Sequence, residues 1–403
     1  MYKDKGPEKT ITVIGGGPSG MAAAISAARQ GTGRVLIIEK NDILGRKLLA
    51  TGNGRCNLTN TNCPDAEETI RFFNGLGLLV RTEEEGRVYP YSEQAAAVRE
   101  ALMNELKHLN VIIRCGTEVK AVERTENHGF RIVSEGGILY SDAVILSTGG
   151  KAGPQYGCTG DGYRFAKAFG HRVVSIRPSL VQMVSDEPFF KSLKGVRAKG
   201  RAALYRTDQA AGCEKAVDSE DGEIQFTAEG LSGICIFNLS RSYVRGDHVK
   251  IDLFPEYDEK ALREILSHRA EALENRNMAE FFTGMLHIKL VPVILNLLSL
   301  DEDRKAASLT ADELSKAAQL LKGWRISVTG TKGWKEAQVT AGGVDLAEIN
   351  RDTMESLYVP NLYFTGELLD VDGKCGGYNL QWAWISGLAA GRSAAMKIRE
   401  EQC

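Results

Sequence analysis

The feature that most constrains this chain is a glycine turn set between a strand-like run and a helix-like run. Thr10 to Ile14 is apolar and β-branched, Gly15-Gly16-Gly17-Pro18-Ser19-Gly20 follows at once, and the alanine-rich Met21 to Arg29 has high helix propensity. Arg34 to Ile38 is a second apolar run and ends at Glu39. The unit is a β-α-β of about 30 residues carrying G-x-G-x-x-G, with an acid about 20 residues further on. Each residue in it has a separate duty. Gly15 permits the tight turn, Gly17 lets backbone approach a pyrophosphate, and Gly20 lets the helix pack close to the strand. Pro18 and Ser19 open the helix, whose free N–H groups and positive dipole end attract phosphate. Glu39 can accept both ribose hydroxyls of an adenosine, and it would repel a 2′-phosphate. The spacing predicts an adenine-dinucleotide site and disfavours NADP in it, but NAD and FAD share this half-site.

Two further segments bear on that choice. Gly45-Arg46-Lys47-Leu48-Leu49-Ala50-Thr51-Gly52-Asn53-Gly54-Arg55-Cys56-Asn57 follows the Glu39 strand. Arg46 and Lys47 can flank a pyrophosphate, and the glycines let backbone lie against a flat ring. The other segment, Leu362 to Phe364, reads as a strand running into Thr365-Gly366-Glu367. Gly376-Gly377-Tyr378-Asn379 and a helix through Ala395 follow. This second strand, glycine turn and helix lies more than 300 residues from the first. Glu367 can hold ribityl hydroxyls, and a helix N-terminus at Gly376 and Gly377 can stabilise charge on a reduced flavin. These segments favour FAD. Lys40 beside Glu39, and Thr148 and Gly149 after the apolar run Ala143 to Leu146, complete the cofactor-binding set.

Between the two glycine turns the pattern changes twice. Ser92 to Leu109 reads as a helix with Ser92 as N-cap and Val98, Leu102, Leu106 and Leu109 on one face. From Lys194 to Leu253 short alternating runs predict antiparallel β structure. From Glu259 to Leu321 the signal is helical. The apolar stretch Phe281 to Leu300 contains His287, Lys289, Pro292 and Asn296, which predicts buried helices rather than a membrane span. The expected class is α/β, a Rossmann-like FAD/NAD(P)-binding domain interrupted by an insertion. Residues 1–186 would form its first part and 338–403 its second. An inserted β domain would take 187–256, a helical domain 257–324, and a return strand of the β domain 325–337.

At these residues the chain resembles the BaiN-like bacterial flavoproteins, an aminoacetone-oxidase-type family of FAD-binding enzymes. The resemblance rests on GRKLLATGNGRCNLTN at Gly45 to Asn60, GRVYP at Gly86 to Pro90, TGDGYRFAKAFGH at Thr159 to His171 and PSLV at Pro178 to Val181. It continues through FTAEGLSG at Phe226 to Gly233, VTAGGV at Val339 to Val344 and YFTGELLDVDGKCGGYNLQWAWISG at Tyr363 to Gly387. It implies non-covalent FAD, a barrel-like shape for the inserted β domain, and NAD(P)H-linked reduction of an activated C=C bond. It carries FAD contacts onto Gly15, Gly17, Gly20, Glu39, Arg46, Lys47, Asn57, Val119, Gly366, Glu367, Gly377 and Asn379. Val119 enters because this fold holds adenine through the backbone of that strand. Many members have His or Tyr where this chain has Glu229.

A flavin carries the difficult chemistry, so no catalytic triad is required. The candidates for chemistry are Arg55, which can bind a carbonyl or pair with a loop acid, Tyr378 as proton donor, and Cys375 as redox thiol or packing residue. His171 is read as serving a helix end, and Trp382 and Trp384 as core. No metal site is expected, since none of the eight cysteines forms a C-x-x-C pair. Reduced thiols and a polar N-terminus suit a cytoplasmic protein. A net charge of −2 gives no reason to expect nucleic acid or an anionic membrane as partner. A small-molecule substrate is expected, and no motif names it or an oligomeric state. An O₂-using amine oxidase, a flavin-dependent nucleic-acid-modifying enzyme and a non-enzymatic flavin binder remain as alternatives. No second G-x-G-x-x-G lies on a strand–helix junction, so a nicotinamide would reach the flavin through the substrate cleft.

Overall fold

The computed structural model describes residues 9–31, 33–126, 129–208 and 212–401. In chain order its principal elements are β1 (Thr10–Ile14), α1 (Pro18–Arg29), β2 (Arg34–Ile38), α2 (Ala95–His108), β3 (Ile112–Arg114), β4 (Val119–Arg124), β5 (Phe130–Ser134), β6 (Gly137–Ser141), β7 (Ala143–Leu146) and α3 (Asp161–Ala168). There follow β8 (Arg197–Asp208), β9 (Cys213–Thr227), β10 (His248–Asp252), α4 (Glu259–Ala272), α5 (Leu290–Leu298), α6 (Ala311–Lys322), β11 (Trp324–Ser327), β12 (Leu362–Phe364) and α7 (Tyr378–Glu400). Contacts divide the chain into two compact units, Met1–Ser179 with Ala337–Cys403, and Leu180–Glu336.

The first unit is Rossmann-like. Five parallel strands run in the order β12-β7-β1-β2-β3, and β1 pairs in parallel with both β2 and β7. The chain leaves β1 toward β2 and later returns to its other side, so the order reverses between β1 and β7. Ligands of such sheets bind beyond the carboxyl ends of the strands at that point. The meander β4-β5-β6 forms a separate antiparallel sheet. The last helix packs on the first. A Cβ on Gly387 would lie 2.3 Å from the Ser19 carbonyl, and one on Gly391 would lie 2.1 Å from that of Ala23. Ser26 Oγ donates to the Leu388 carbonyl at 2.7 Å. Two glycines one helical turn apart thus let backbones some 360 residues apart come together.

Helix α2 starts later than its sequence suggests. Glu93 takes φ +55° and its N–H bonds Pro90, so Ser92 lies in a turn and Gln94 occupies the N-cap position with no side-chain bond. Val98, Leu102 and Leu106 are buried on the expected face.

The second unit holds a seven-stranded antiparallel sheet ordered β11-β10-β8-β9, then Gly230–Ser232, Met183–Val184 and Gly330–Thr331. Its two edges are β11 and Gly330–Thr331, which are joined through Val328 and Thr329 alone. Three Cα steps of ~3.8 Å cannot bridge an open seven-stranded sheet, so the sheet must curl into a barrel-like form. Its core and the helices over it are one body. Trp324 stacks on Phe226 with ring centroids 5.6 Å apart, and Leu262, Leu266, Leu314 and Leu321 join the same cluster. Phe281, Phe282, Leu290 and Ile294 are buried in that cluster too. Among the described residues no helix is long and apolar enough to cross a membrane.

Candidate dinucleotide site

The carboxyl ends of β1, β2, β7 and β12 open into a cleft of about 1250 Å³ including its mouth, formed wholly within the first unit. Gly15, Gly17, Pro18, Ser19, Glu39, Lys40, Arg46, Lys47, Val119, Thr148, Gly149, Glu367 and Asn379 line it. The structure thereby gathers candidates from both ends of the chain. Gly20, Arg55, Asn57, Gly366, Cys375, Gly376, Gly377 and Tyr378 are not among the residues that line it.

The glycines of the first turn separate by cause. Gly15 has φ +104°, and a Cβ there would lie 2.4 Å from the Ser147 carbonyl. At Gly20 a Cβ would lie 1.9 Å from the Gly15 carbonyl. Both are demanded by the protein itself. Gly17 is different: its φ of −74° suits any residue, and an added Cβ would meet nothing within 4 Å. It is the N-cap of α1, yet it supplies no side-chain cap, and no acid stands in the first turn. The first N–H groups of α1 therefore face the cleft without a protein acceptor at their cap. An open cradle at a positive helix end suits a pyrophosphate.

Glu39 is buried and already engaged. Its Oε2 accepts the Gly16 N–H at 2.7 Å, and its Oε1 accepts both the backbone and side-chain N–H of Asn41 at 2.7 Å. A carboxylate offers about four lone-pair sites, which leaves room for about one further donor. The acid both holds the glycine turn and faces the ligand space. Val119 opens β4 at a bulge in its pairing with β5. Lys40 reaches Asp161 at 2.5 Å, and Arg46 is exposed with Nη1 3.4 Å from Asn41 Oδ1.

Lys47 and Glu367, from opposite ends of the chain, pair at 2.9 Å. Burial, the largest single influence, would lower the Lys47 pKa, but Glu367 together with Cys158 and Tyr156 holds the ammonium above its ordinary value. Glu367 Oε1 also accepts the Thr340 N–H at 2.9 Å. Thr148 Oγ1 is buried at the cleft wall with no partner in the protein. Asn379 binds the Gly373 N–H and carbonyl through its side chain, pinning the loop that enters α7. At Gly377, φ is +101° and a Cβ would lie 2.4 Å from the Thr59 carbonyl. Asn57 Oδ1 is buried beside it without a partner.

The candidates for chemistry take separate places. Arg55 pairs with Glu83 at 2.5 Å and Glu93 at 3.3 Å, and lies over the Tyr89 ring at 4.0 Å. Cys375 Sγ points to Gln338 Oε1 at 3.9 Å. Tyr378 is the first residue of α7. His171 is buried between Glu348 at 3.0 Å and Ser356 at 2.8 Å. Only its backbone N–H serves the end of α3, bonding Ala166 at 3.1 Å, while Gly170 turns the chain. Trp384 is fully buried, its Nε1 bonded to the Leu58 carbonyl, as expected of core. Trp382 packs against that core as expected but also lines the cleft, with Nε1 donating to the Gly366 carbonyl at 3.0 Å. In the second unit Glu229 is exposed and pairs with Lys332 at 2.5 Å. Asn41, Cys158 and Gln338 also line the cleft with no local motif to mark them, as does Asp161 of the TGDGYRFAKAFGH segment. Among the described residues no group of three His, Cys, Asp or Glu could hold a metal.

Residues 9–67 and 64–393 match the HI0933-like protein Rossmann domain. The chain belongs to the HI0933-like family. A 3-dehydro-bile acid delta(4,6)-reductase of Clostridium scindens is 40% identical over 96% of this chain and 98% of that one. A ribosomal RNA dihydrouridine synthase of Escherichia coli is 30% identical over 94% and 96%. A 3-ketosteroid-delta4-(5alpha)-dehydrogenase from Rhodococcus jostii RHA1, solved with 4-androstene-3,17-dione, shares the fold at 14% identity and a TM-score of 0.50, covering 98% of both chains. This HI0933-like protein is an FAD-dependent oxidoreductase.

Proposed function

We propose that this HI0933-like protein reduces an activated carbon–carbon double bond in a small organic substrate, with FAD held in the cleft and NAD(P)H as reductant. The observation that carries the reading is the 40% identity, over nearly the whole chain, to a delta(4,6)-reductase. The ribosomal RNA relative supports the same bond chemistry, since dihydrouridine is uridine with its ring double bond saturated.

The residues present fit FAD. Gly17 and Ser19 would offer backbone N–H groups to the pyrophosphate, with Pro18, which has none, fixing the helix start between them, and Arg46 stands at the same wall. Glu39 would take one ribose hydroxyl with its remaining lone pair, and Val119 would meet the adenine through backbone. Thr148 Oγ1 would gain the partner it lacks. Lys47, Glu367 and the first turn of α7 would face the ribityl and ring half. When bound, FAD supplies hydride transfer. The chain's own share is to orient the substrate and deliver a proton. Arg55 is committed to Glu83 and Glu93, and Cys375 to Gln338, so Tyr378 is the proton donor we favour.

An anaerobic titration tests the reading. NADH or NADPH should bleach the flavin, and a conjugated enone added without oxygen should restore its colour, more slowly in Tyr378→Phe. Bleaching by amines with oxygen consumption instead would make the protein an oxidase. Turnover confined to unmodified ribosomal RNA would overturn the small-molecule assignment.

A further inference from the structure

The glycine-rich stretch after β7 and the Val339 to Val344 segment meet at one buried hydroxyl. Thr340 is fully buried, and its Oγ1 accepts the N–H groups of Lys151 at 2.8 Å and Ala152 at 3.0 Å. Its own N–H donates to Glu367 Oε1 at 2.9 Å, and Glu367 Oε2 holds Lys47 at 2.9 Å. Gly150 makes the approach possible. A Cβ there would lie 2.3 Å from Thr340 Oγ1 and 2.6 Å from Glu367 Oε1. The glycine answers to space and not to conformation, because its φ is ordinary. Four segments far apart in sequence thus converge on one hydroxyl and one carboxylate at the cleft wall.

We propose that Thr340 is a positioning residue for the cofactor: by tying the Gly150–Ala152 turn through its hydroxyl to the Glu367 carboxylate through its N–H, it keeps the Lys47–Glu367 pair set against FAD. The inference rests on FAD occupying the cleft as argued above. A partly buried ion pair is sensitive to such support, because a partner that drifts leaves a poorly solvated charge uncompensated. Loss of the hydroxyl removes the acceptor that the Lys151 and Ala152 amides share.

The test is FAD binding, read by flavin fluorescence between about pH 7 and about pH 10, without substrate. Lys47 is faced by Glu367, Cys158 and Tyr156, of which Glu367 acts most strongly and is the one bonded to it. Thr340→Val keeps the shape and removes the acceptor. It should weaken FAD about tenfold at neutral pH, with a further loss as pH rises and Lys47 sheds its proton early. Thr340→Ser should stay within about twofold of the wild type and keep its pH profile. An unchanged Thr340→Val, or a Thr340→Ser as damaged as Thr340→Val, overturns the proposal. If circular dichroism shows Thr340→Val unfolded, Glu367→Gln takes its place. It should show the same early alkaline loss, and a flat profile overturns the proposal. Wild-type protein that binds no FAD at any pH would instead remove the FAD reading itself.

Discussion

Helices α1 and α6 are each twelve residues long and begin in opposite ways. Helix α6 in the insert is sealed. Thr310 Oγ1 accepts the Glu313 N–H, and Glu313 reaches back to the Thr310 N–H, a reciprocal capping box. Helix α1 begins at Gly17 with no cap and no acid in its first turn. The difference teaches where the molecule is built for stability and where it is built for a ligand. At α6 the protein satisfies its own N–H groups. At α1 it leaves them open, which on the reading proposed above serves the phosphates of FAD at some cost in stability.

The largest expected effect comes from making the two ends alike. Gly17→Asp supplies α1 with a favoured N-cap at a φ that any residue adopts. FAD-free protein should gain a few tenths of a kcal/mol, while a carboxylate in the phosphate cradle should weaken FAD by at least ~100-fold, or ~2.7 kcal/mol. Thermal melts of the FAD-free protein and a flavin titration check both signs. A variant that binds FAD normally would show that the open end of α1 is not the pyrophosphate site.

Glu39 should come next. Glu39→Ala removes the acceptor of the Gly16 and Asn41 N–H groups together with the ribose contact, so FAD should weaken by ~1–3 kcal/mol. Loss of the turn's anchor should also lower the melting temperature of the FAD-free protein, a cost that a purely ligand-facing acid would not produce.

The smallest effect belongs to the sealed end. Thr310→Ala should cost ~1 kcal/mol of stability and leave FAD affinity unchanged. Its pH dependence has a definite sign. The Arg304 guanidinium, then the Thr310 N–H, hold the Glu313 carboxyl down to about 2. That folded value is below the unfolded value of about 4.3, so the contribution is present above about pH 4 and fades as pH falls toward 2. Melting curves of wild type and Glu313→Gln should therefore differ near neutrality and converge in acid. A constant difference across that range would exclude the carboxylate as its source.

Much of the first unit was legible because its causes are local. The run of β-branched residues into Gly15, Gly17 and Gly20, then Glu39, specifies strand, turn, helix and strand within about 30 residues, and the structure follows it. The second glycine turn was legible for the same reason, and so were the buried face of α2 and the burial of Phe281, Phe282, Leu290 and Ile294. Local signals also misled where a neighbour overrode them. Ser92 has the chemistry of a cap, but the left-handed turn at Glu93 moves the helix start past it.

The sequence by itself therefore determined the class of cofactor, the β-α-β unit that opens the cleft and the change of grammar between the two glycine turns. Tertiary structure decided what each candidate residue touches. It alone paired Lys47 with Glu367, spent three of the lone pairs of Glu39 on backbone and Asn41, drew Arg55 to Glu83 and Glu93, and brought Trp382 into the cleft. It alone showed that Gly17 is open while Gly150 is crowded by Thr340 and Glu367. The reason is physical. Backbone conformation and helix or strand preference depend on neighbours a few residues away, whereas ion pairs, shared acceptors and steric gaps depend on segments hundreds of residues apart that only packing brings together.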